Sequence, residues 1–223
     1  GSCGRTDLYG GSWEEMMASL RRLGNIQRNF LQSTHLLHPN RYTMDNMMED
    51  YNLNHLYTGK VILGGYPRNA IFWDRAAEKA VREKYGFADK EAFAYMPTWR
   101  GATSQGANSG GYEQEVQSIL QTFDETLTDN QIMYVNLHPL VKDKIAIEGF
   151  RHIEKFPDDT DSYTFLNAVD VLITDYSSVF FDYSITRKPI VLFMYDYEDY
   201  MAERGMYMDV RTLPFEKIYT MQD

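Results

Sequence analysis

The chain has 223 residues, 43% hydrophobic and 14% aromatic, enough for one full α/β core and part of a second. Its formal charge of -10 argues against a general nucleic-acid surface, which needs a basic face. The single cysteine, Cys3, leaves no internal disulfide or multi-thiolate metal site and reads as a bystander in the terminus. Residues 1–60 hold six basic and six acidic side chains, so the whole excess of acid falls after residue 60. Any phosphate site there must rely on a few placed arginines and on backbone dipoles. No apolar run approaches the roughly 20 residues that span a bilayer, and the first residues carry no basic stretch followed by an apolar one, so the expected location is cytoplasmic.

Ser12-Trp-Glu-Glu15 has the capping-box pattern, and Trp13, Met16, Met17, Leu20 and Leu23 follow at helical spacing. Gly24-Asn25 is expected to break that helix, with Ile26 to Gln32 resuming it. Thr34 to Leu37 reads as a short strand closed by Pro39, and Thr43 to Tyr51 as a short helix. From residue 61 onward, strand-length apolar runs alternate with helical patterns, the signature of a parallel sheet with crossover helices. The expected strands are Val61 to Gly65, Ala92 to Pro97, Ile132 to Leu137, Val171 to Thr174 and Ile190 to Phe193. The expected helices are Asn69 to Tyr85, Tyr112 to Leu127, Asp161 to Val169 and Ser178 to Arg187. Gly101 to Gly111, rich in Gly, Ser, Asn and Gln, reads either as a loop bordering a site or as a plain connection.

Three of these strands end in groups suited to phosphate. Val171-Leu-Ile-Thr-Asp-Tyr-Ser-Ser178 runs into a helix whose first N–H groups are unpaired, so two hydroxyls stand beside an anion-binding terminus. The alternative is that Asp175 or Ser177 is only an N-cap. Asp182, one turn on, either accepts from ribose hydroxyls or is a surface carboxylate. Tyr95-Met-Pro-Thr-Trp-Arg100 delivers Arg100, a fork of donors for phosphate or an ordinary loop arginine. Asn136-Leu-His-Pro139 delivers His138, a phosphate donor or proton shuttle if it is not merely structural. Together they place phosphate-compatible groups at one edge of one sheet. His35 and His38 lack carboxylates or thiols at ligand spacing, so no metal is expected, and no Walker loop, G-x-S-x-G elbow or G-x-G-x-x-G is present.

Gly65-Tyr-Pro-Arg68, Tyr95 to Arg100, His138-Pro139, Asp170 to Ser178 with Phe181-Asp182, Lys188-Pro189 and Arg204-Gly-Met-Tyr207 resemble the ordered motifs of the CDP-glycerol glycerophosphotransferase family. The resemblance runs from about Asn25 to Leu213. It implies an α/β, GT-B-like fold: residues 1–66 as a remnant of the acceptor-side N-terminal domain and linker, and 67–223 as a Rossmann-like CDP-polyol-binding domain. It implies transfer of glycerol or ribitol phosphate from CDP-glycerol or CDP-ribitol to a lipid-linked teichoic acid-type acceptor, releasing CMP, with no further cofactor. The implied location is peripheral, at the inner face of the cell membrane. By position His138 is the implied catalytic residue and holds the donor diphosphate with Arg100, Ser177, Ser178 and Arg204, while Thr98, Asp175 and Asp182 serve the ribose or nucleotide.

Two departures stand out. The family's N-terminal tryptophan-histidine-glycine motif is missing, and Ala70 stands where relatives commonly have aspartate. These departures make a donor-nucleotide-binding fragment without turnover one alternative; a GT-B nucleotide-sugar glycosyltransferase or epimerase stands as another.

Overall fold

The computed structural model describes residues 12–100, 109–139, 141–203 and 206–221. Cys3, most of the Gly101 to Gly111 loop and Arg204 lie outside the described residues. Among those described, one compact unit comprises 12–69 with 202–207 and the other 70–201 with 208–221.

In the smaller unit, helix α1 (Trp13–Leu31) runs unbroken through Gly24-Asn25. A glycine inside a helix costs only about 1 kcal/mol relative to alanine. Tertiary contacts offset it: Gln27 donates to the Tyr51 carbonyl at 2.9 Å, and the rings of Phe30 and Tyr51 lie 5.3 Å apart. Strand β1 (His35–His38) follows, then α2 (Arg41–Asp50), whose Asn40 cap accepts from the Thr43 amide, and β2 (Lys60–Leu63). The two strands pair in parallel, His35 opposite Lys60. Gly59 admits no side chain, since a Cβ there would stand 2.7 Å from the Thr34 carbonyl oxygen.

A 3-10 segment, Pro67–Trp73, leads to α3 (Arg75–Lys84). The single helix expected over this stretch is divided at Asp74, whose carboxylate caps α3 by accepting from the Ala77 amide at 2.9 Å. Then come β3 (Glu91–Met96), α4 (Ser109–Thr126), β4 (Gln131–Val135), β5 (Ile153–Lys155), α5 (Ser162–Asn167) and β6 (Val171–Thr174). The chain closes with α6 (Val179–Tyr183), β7 (Ile190–Phe193), α7 (Tyr197–Glu203) and β8 (Glu216–Ile218).

The sheet of the larger unit has the order β5-β4-β3-β6-β7-β8, and every pair in it is parallel. The chain starts in the middle, builds outward through β4 and β5, then crosses back to lay β6 against the other side of β3. That is doubly wound topology, and its switch point lies between β3 and β6. Strand alternation sorts the core between two faces. Tyr95, Met133 and Val135 pack with Val116, Ile119 and Leu120 of α4. On the opposite face Tyr134 meets Phe165 of α5 at 4.7 Å, and Phe165 also meets Phe87 at 5.8 Å.

The amino edge of the sheet is sewn by Arg82. It donates to the carbonyls of Ala168 (2.7 Å) and Lys90 (2.6 Å) and to the Asp170 carboxylate (3.0 Å), which also accepts from the Ala92 amide. Lys188 does similar work beside it, reaching Glu78 at 2.9 Å and the carbonyls of Asn167 and Val169.

Candidate functional site at the carboxyl edge of the sheet

Because every strand of the larger sheet points the same way, the segments leaving β3, β4, β6 and β7 emerge at one edge. Those segments carry Thr98 and Arg100, His138, Asp175 to Ser178, and Asp196 respectively.

Asp175 is the hub, with its side chain only 3% exposed. Its carboxylate accepts from the Thr98 amide (3.0 Å), the Thr98 hydroxyl (2.6 Å), its neighbour's amide at Tyr176 (2.6 Å) and Arg100 Nη2 (2.7 Å). Four donors fill the roughly four lone-pair positions a carboxylate offers. The switch-point crevice is thus cross-linked by β3's exit loop bonding to β6's.

Arg100 is equally committed. Nε and Nη2 reach Asp196 at 2.5 and 3.1 Å, Nη2 also reaches Asp175, and Nη1 donates to the Thr98 carbonyl at 2.5 Å. A guanidinium has five N–H hydrogens, and these bonds use four of them. Three tyrosine rings surround the cation, with Tyr176, Tyr200 and Tyr195 centred 5.0, 5.3 and 5.9 Å from its carbon. Burial works against the charge, yet Asp175 and Asp196 hold the guanidinium above its ordinary pKa. Burial, then Asp196, pushes the Tyr176 phenol well above its usual value, so it stays a donor, at 3.0 Å from Asp196. Tyr176 also stacks on Tyr200 with centroids 3.8 Å apart.

Ser177 and Ser178 follow directly. Ser177 Oγ accepts from the Val179 amide at a long 3.4 Å, whereas Ser178, exposed and at the N-cap position of α6, makes no side-chain cap bond. Capping therefore does not account for the Ser178 hydroxyl. The helix behind it has only five residues before turning 3-10, so its dipole is small and the local amides and hydroxyls are the larger asset.

His138 is exposed beyond β4, and its imidazole stacks on Trp99 at 5.7 Å and 17°. Trp99 in turn meets Tyr112 of α4 edge-on at 5.2 Å. The Trp99 ring thus links His138 to the β3 exit loop. Asp182 is set apart: it is buried, and its Oδ2 accepts from the Tyr163 hydroxyl of α5 at 2.6 Å. Thr98, Arg100, Asp175, Ser177, Ser178 and His138 all leave strands at one edge; Arg204 lies outside the described residues.

Sequence pattern alone does not single out Asp196, nor the cage of Tyr176, Tyr195 and Tyr200 around Arg100. The available signal is positional: Asp196 follows an expected strand by three residues, at the edge where ligands of open parallel sheets bind. Among the described residues, no group of three or more His, Cys, Asp or Glu side chains is placed to hold a metal ion, and no helix is long and apolar enough to cross a membrane.

The fold defines an α/β protein with parallel sheets, of GT-B-like, Rossmann-like architecture. Within that class the chain belongs to the CDP-Glycerol:Poly(glycerophosphate) glycerophosphotransferase family, which it matches over residues 11–223. It is 36% identical over 158 residues to the teichoic acid poly(ribitol-phosphate) polymerase of Bacillus spizizenii, covering 67% of this chain and 25% of the relative. It is 29% identical over 197 residues to the teichoic acid poly(glycerol phosphate) polymerase of Staphylococcus epidermidis, covering 82% of this chain and 26% of the relative. A solved structure of a variant of the wall teichoic acid polymerase TagF superposes with a TM-score of 0.75 at 25% identity, covering 91% of this chain and 50% of that one. The same TagF variant has also been solved after soaking with CDPG. The chain thus spans between a quarter and a half of the length of these proteins.

Proposed function

We propose that this chain provides the donor side of a polyol-phosphate transferase, binding CDP-glycerol or CDP-ribitol at the carboxyl edge of its larger sheet. The phosphate next to the polyol would pass to a hydroxyl of a lipid-linked teichoic acid-type acceptor, with the phosphoanhydride bond to CMP breaking. One observation carries this reading: the exits of β3, β4 and β6, two of them flanking the switch point, bring an exposed imidazole, a spare serine hydroxyl and backbone amides to the edge where such folds take nucleotides. Membership of the glycerophosphotransferase family supplies the chemistry of the donor.

In phosphoryl transfer the protein contributes mainly position and charge compensation. His138, exposed and oriented by Trp99, is the group best placed to donate to a phosphate oxygen or to the departing CMP. Ser177, Ser178 and the amides that follow would hold the diphosphate. Asp175, Thr98 and Arg100, bonded to one another, would shape the floor beneath it. The acceptor is membrane-borne, so the proposed place of action is the inner face of the membrane, reached peripherally.

Titration calorimetry and thermal melting with CDP-glycerol, CDP-ribitol and a UDP-sugar test the reading. The expected result is binding of one CDP-polyol, with stabilisation of about 2.7 kcal/mol at a hundredfold excess over Kd. A chain that bound only the UDP-sugar would be a glycosyltransferase-like protein instead.

A further inference from the structure

We infer that Asp196 is a positioning residue of the donor site, acting through Arg100 and Tyr176 to fix the β3 and β6 exit loops on which the diphosphate would rest. The inference builds on the proposed function and assigns a role to a residue that no motif singles out.

An arginine meant to grip a diphosphate should present its fork to the ligand. Arg100 does the opposite: four of its five hydrogens are spent on Asp175, Asp196 and the Thr98 carbonyl, and its side chain is 14% exposed. One cation faces two carboxylates, so the cluster offers an incoming anion little net attraction. What it does offer is geometry. Asp196 takes Nε and Nη2 side-on while Asp175 takes Nη2 from the other direction, which leaves the guanidinium plane no freedom to swing.

The same Asp196 Oδ1 accepts from the Tyr176 hydroxyl at 3.0 Å. Tyr176 immediately precedes Ser177 and Ser178, so this bond sets where the two hydroxyls and the amides after them begin. The Asp196 carbonyl accepts from the Tyr200 amide at 3.0 Å, starting α7, and Tyr200 stacks on Tyr176 from that helix. Asp196 therefore joins the exits of β3, β6 and β7 at one carboxylate. Asp175 has its own bond to the Tyr176 amide, while Asp196 anchors the hydroxyl at the far end of that side chain.

A double-mutant cycle on the 223-residue chain tests this, with CDP-glycerol and CDP-ribitol titrated calorimetrically well below each variant's Tm. The variants are Asp196→Asn, Arg100→Lys and the pair, with Asp196→Glu as the conservative rescue. If Asp196 positions the site through Arg100, Asp196→Asn and Arg100→Lys each weaken donor binding by about tenfold, as for loss of one charge-assisted hydrogen bond. The pair should then be no weaker than the worse single variant, because both break one unit, and Asp196→Glu should recover most of the affinity. A merely structural Asp196 would lower Tm and leave Kd of the folded protein unchanged, which overturns the inference. Tighter binding in Asp196→Asn also overturns it, since Asp196 would then be a competitor for Arg100. Effects that multiply in the pair would show Arg100 touching the donor independently, and they overturn it too. A wild-type chain that binds neither CDP-polyol removes the proposed function, and the inference with it; a wild type that binds while Asp196→Asn is indifferent removes only the inference.

Discussion

The two edges of the larger sheet are each tied by an arginine bonded to an aspartate of the β6 segment, and the two ties differ in what surrounds them. At the amino edge Arg82 meets Asp170 and spends its other donors on the carbonyls of Ala168 and Lys90, so it closes orphaned backbone acceptors. At the carboxyl edge Arg100 meets Asp175 and spends its others on a second carboxylate and a carbonyl of its own loop, inside a ring of tyrosines. The first tie finishes a sheet. The second holds loops beyond a sheet in a shape that the strands alone do not require, and that is where a fold invests when a ligand has to be met.

Removing each cation in turn separates the two roles. Arg100→Ala should have the larger effect, because buried Asp175 and half-buried Asp196 would be left without their shared cation; about 3–5 kcal/mol of stability is expected to go, read by urea denaturation, along with measurable donor binding. Arg82→Ala should cost less, about 2 kcal/mol, since the Asp170 side chain is 37% exposed and water can serve it. Its folded population should bind CDP-polyol as well as the wild type does; a matching loss of affinity would erase the distinction between the edges.

Acid provides a milder comparison. At the amino edge burial pulls the Glu78 carboxyl upward, but Lys188 and Arg75 outweigh it and hold its pKa below the usual value. A group depressed in the folded state stabilises above its unfolded pKa, about 4.3 for glutamate. That contribution is lost as pH falls through the lower folded value. Glu78→Gln should therefore flatten the acid limb of a Tm-against-pH curve while leaving neutral-pH donor affinity alone. Alkali does not discriminate between the edges, because Tyr176 and Tyr195 at one and Tyr183 at the other are all held protonated chiefly by burial.

Much of this architecture is legible in the sequence because parallel strands buried on both faces write themselves as apolar runs. Val171–Thr174 and Ile190–Phe193 have the expected bounds, and the helix expected from Tyr112 lies largely within α4. The outer strands do not show. Ile153–Lys155 and Glu216–Ile218 are three residues each and carry Glu and Lys, the charged composition that edge strands use against unwanted pairing. Asp74 is hidden inside a helical pattern because a cap is local and the pattern is not. At the site, Arg100, His138 and Ser178 are legible as types at strand ends, but their commitments are not: that Asp175 is saturated and that Asp182 serves Tyr163 follow from side-chain partners, which spacing does not encode. Asp196 sits in a run of tyrosines and acids, Tyr195-Asp-Tyr-Glu-Asp-Tyr200, in which no spacing marks one carboxylate out from the others.

The bonds that close the switch point join residues far apart along the chain: Arg100 to Asp175 across 75 positions and Arg100 to Asp196 across 96. Closing such long loops is slow relative to local helix and hairpin formation. During synthesis, the first half of the larger sheet can assemble while Asp175 and Asp196 are still untranslated, leaving Arg100 with no carboxylate to meet. The proposed site and the fold are in this sense finished together, so a nascent chain cannot form that site until Asp196 has left the ribosome.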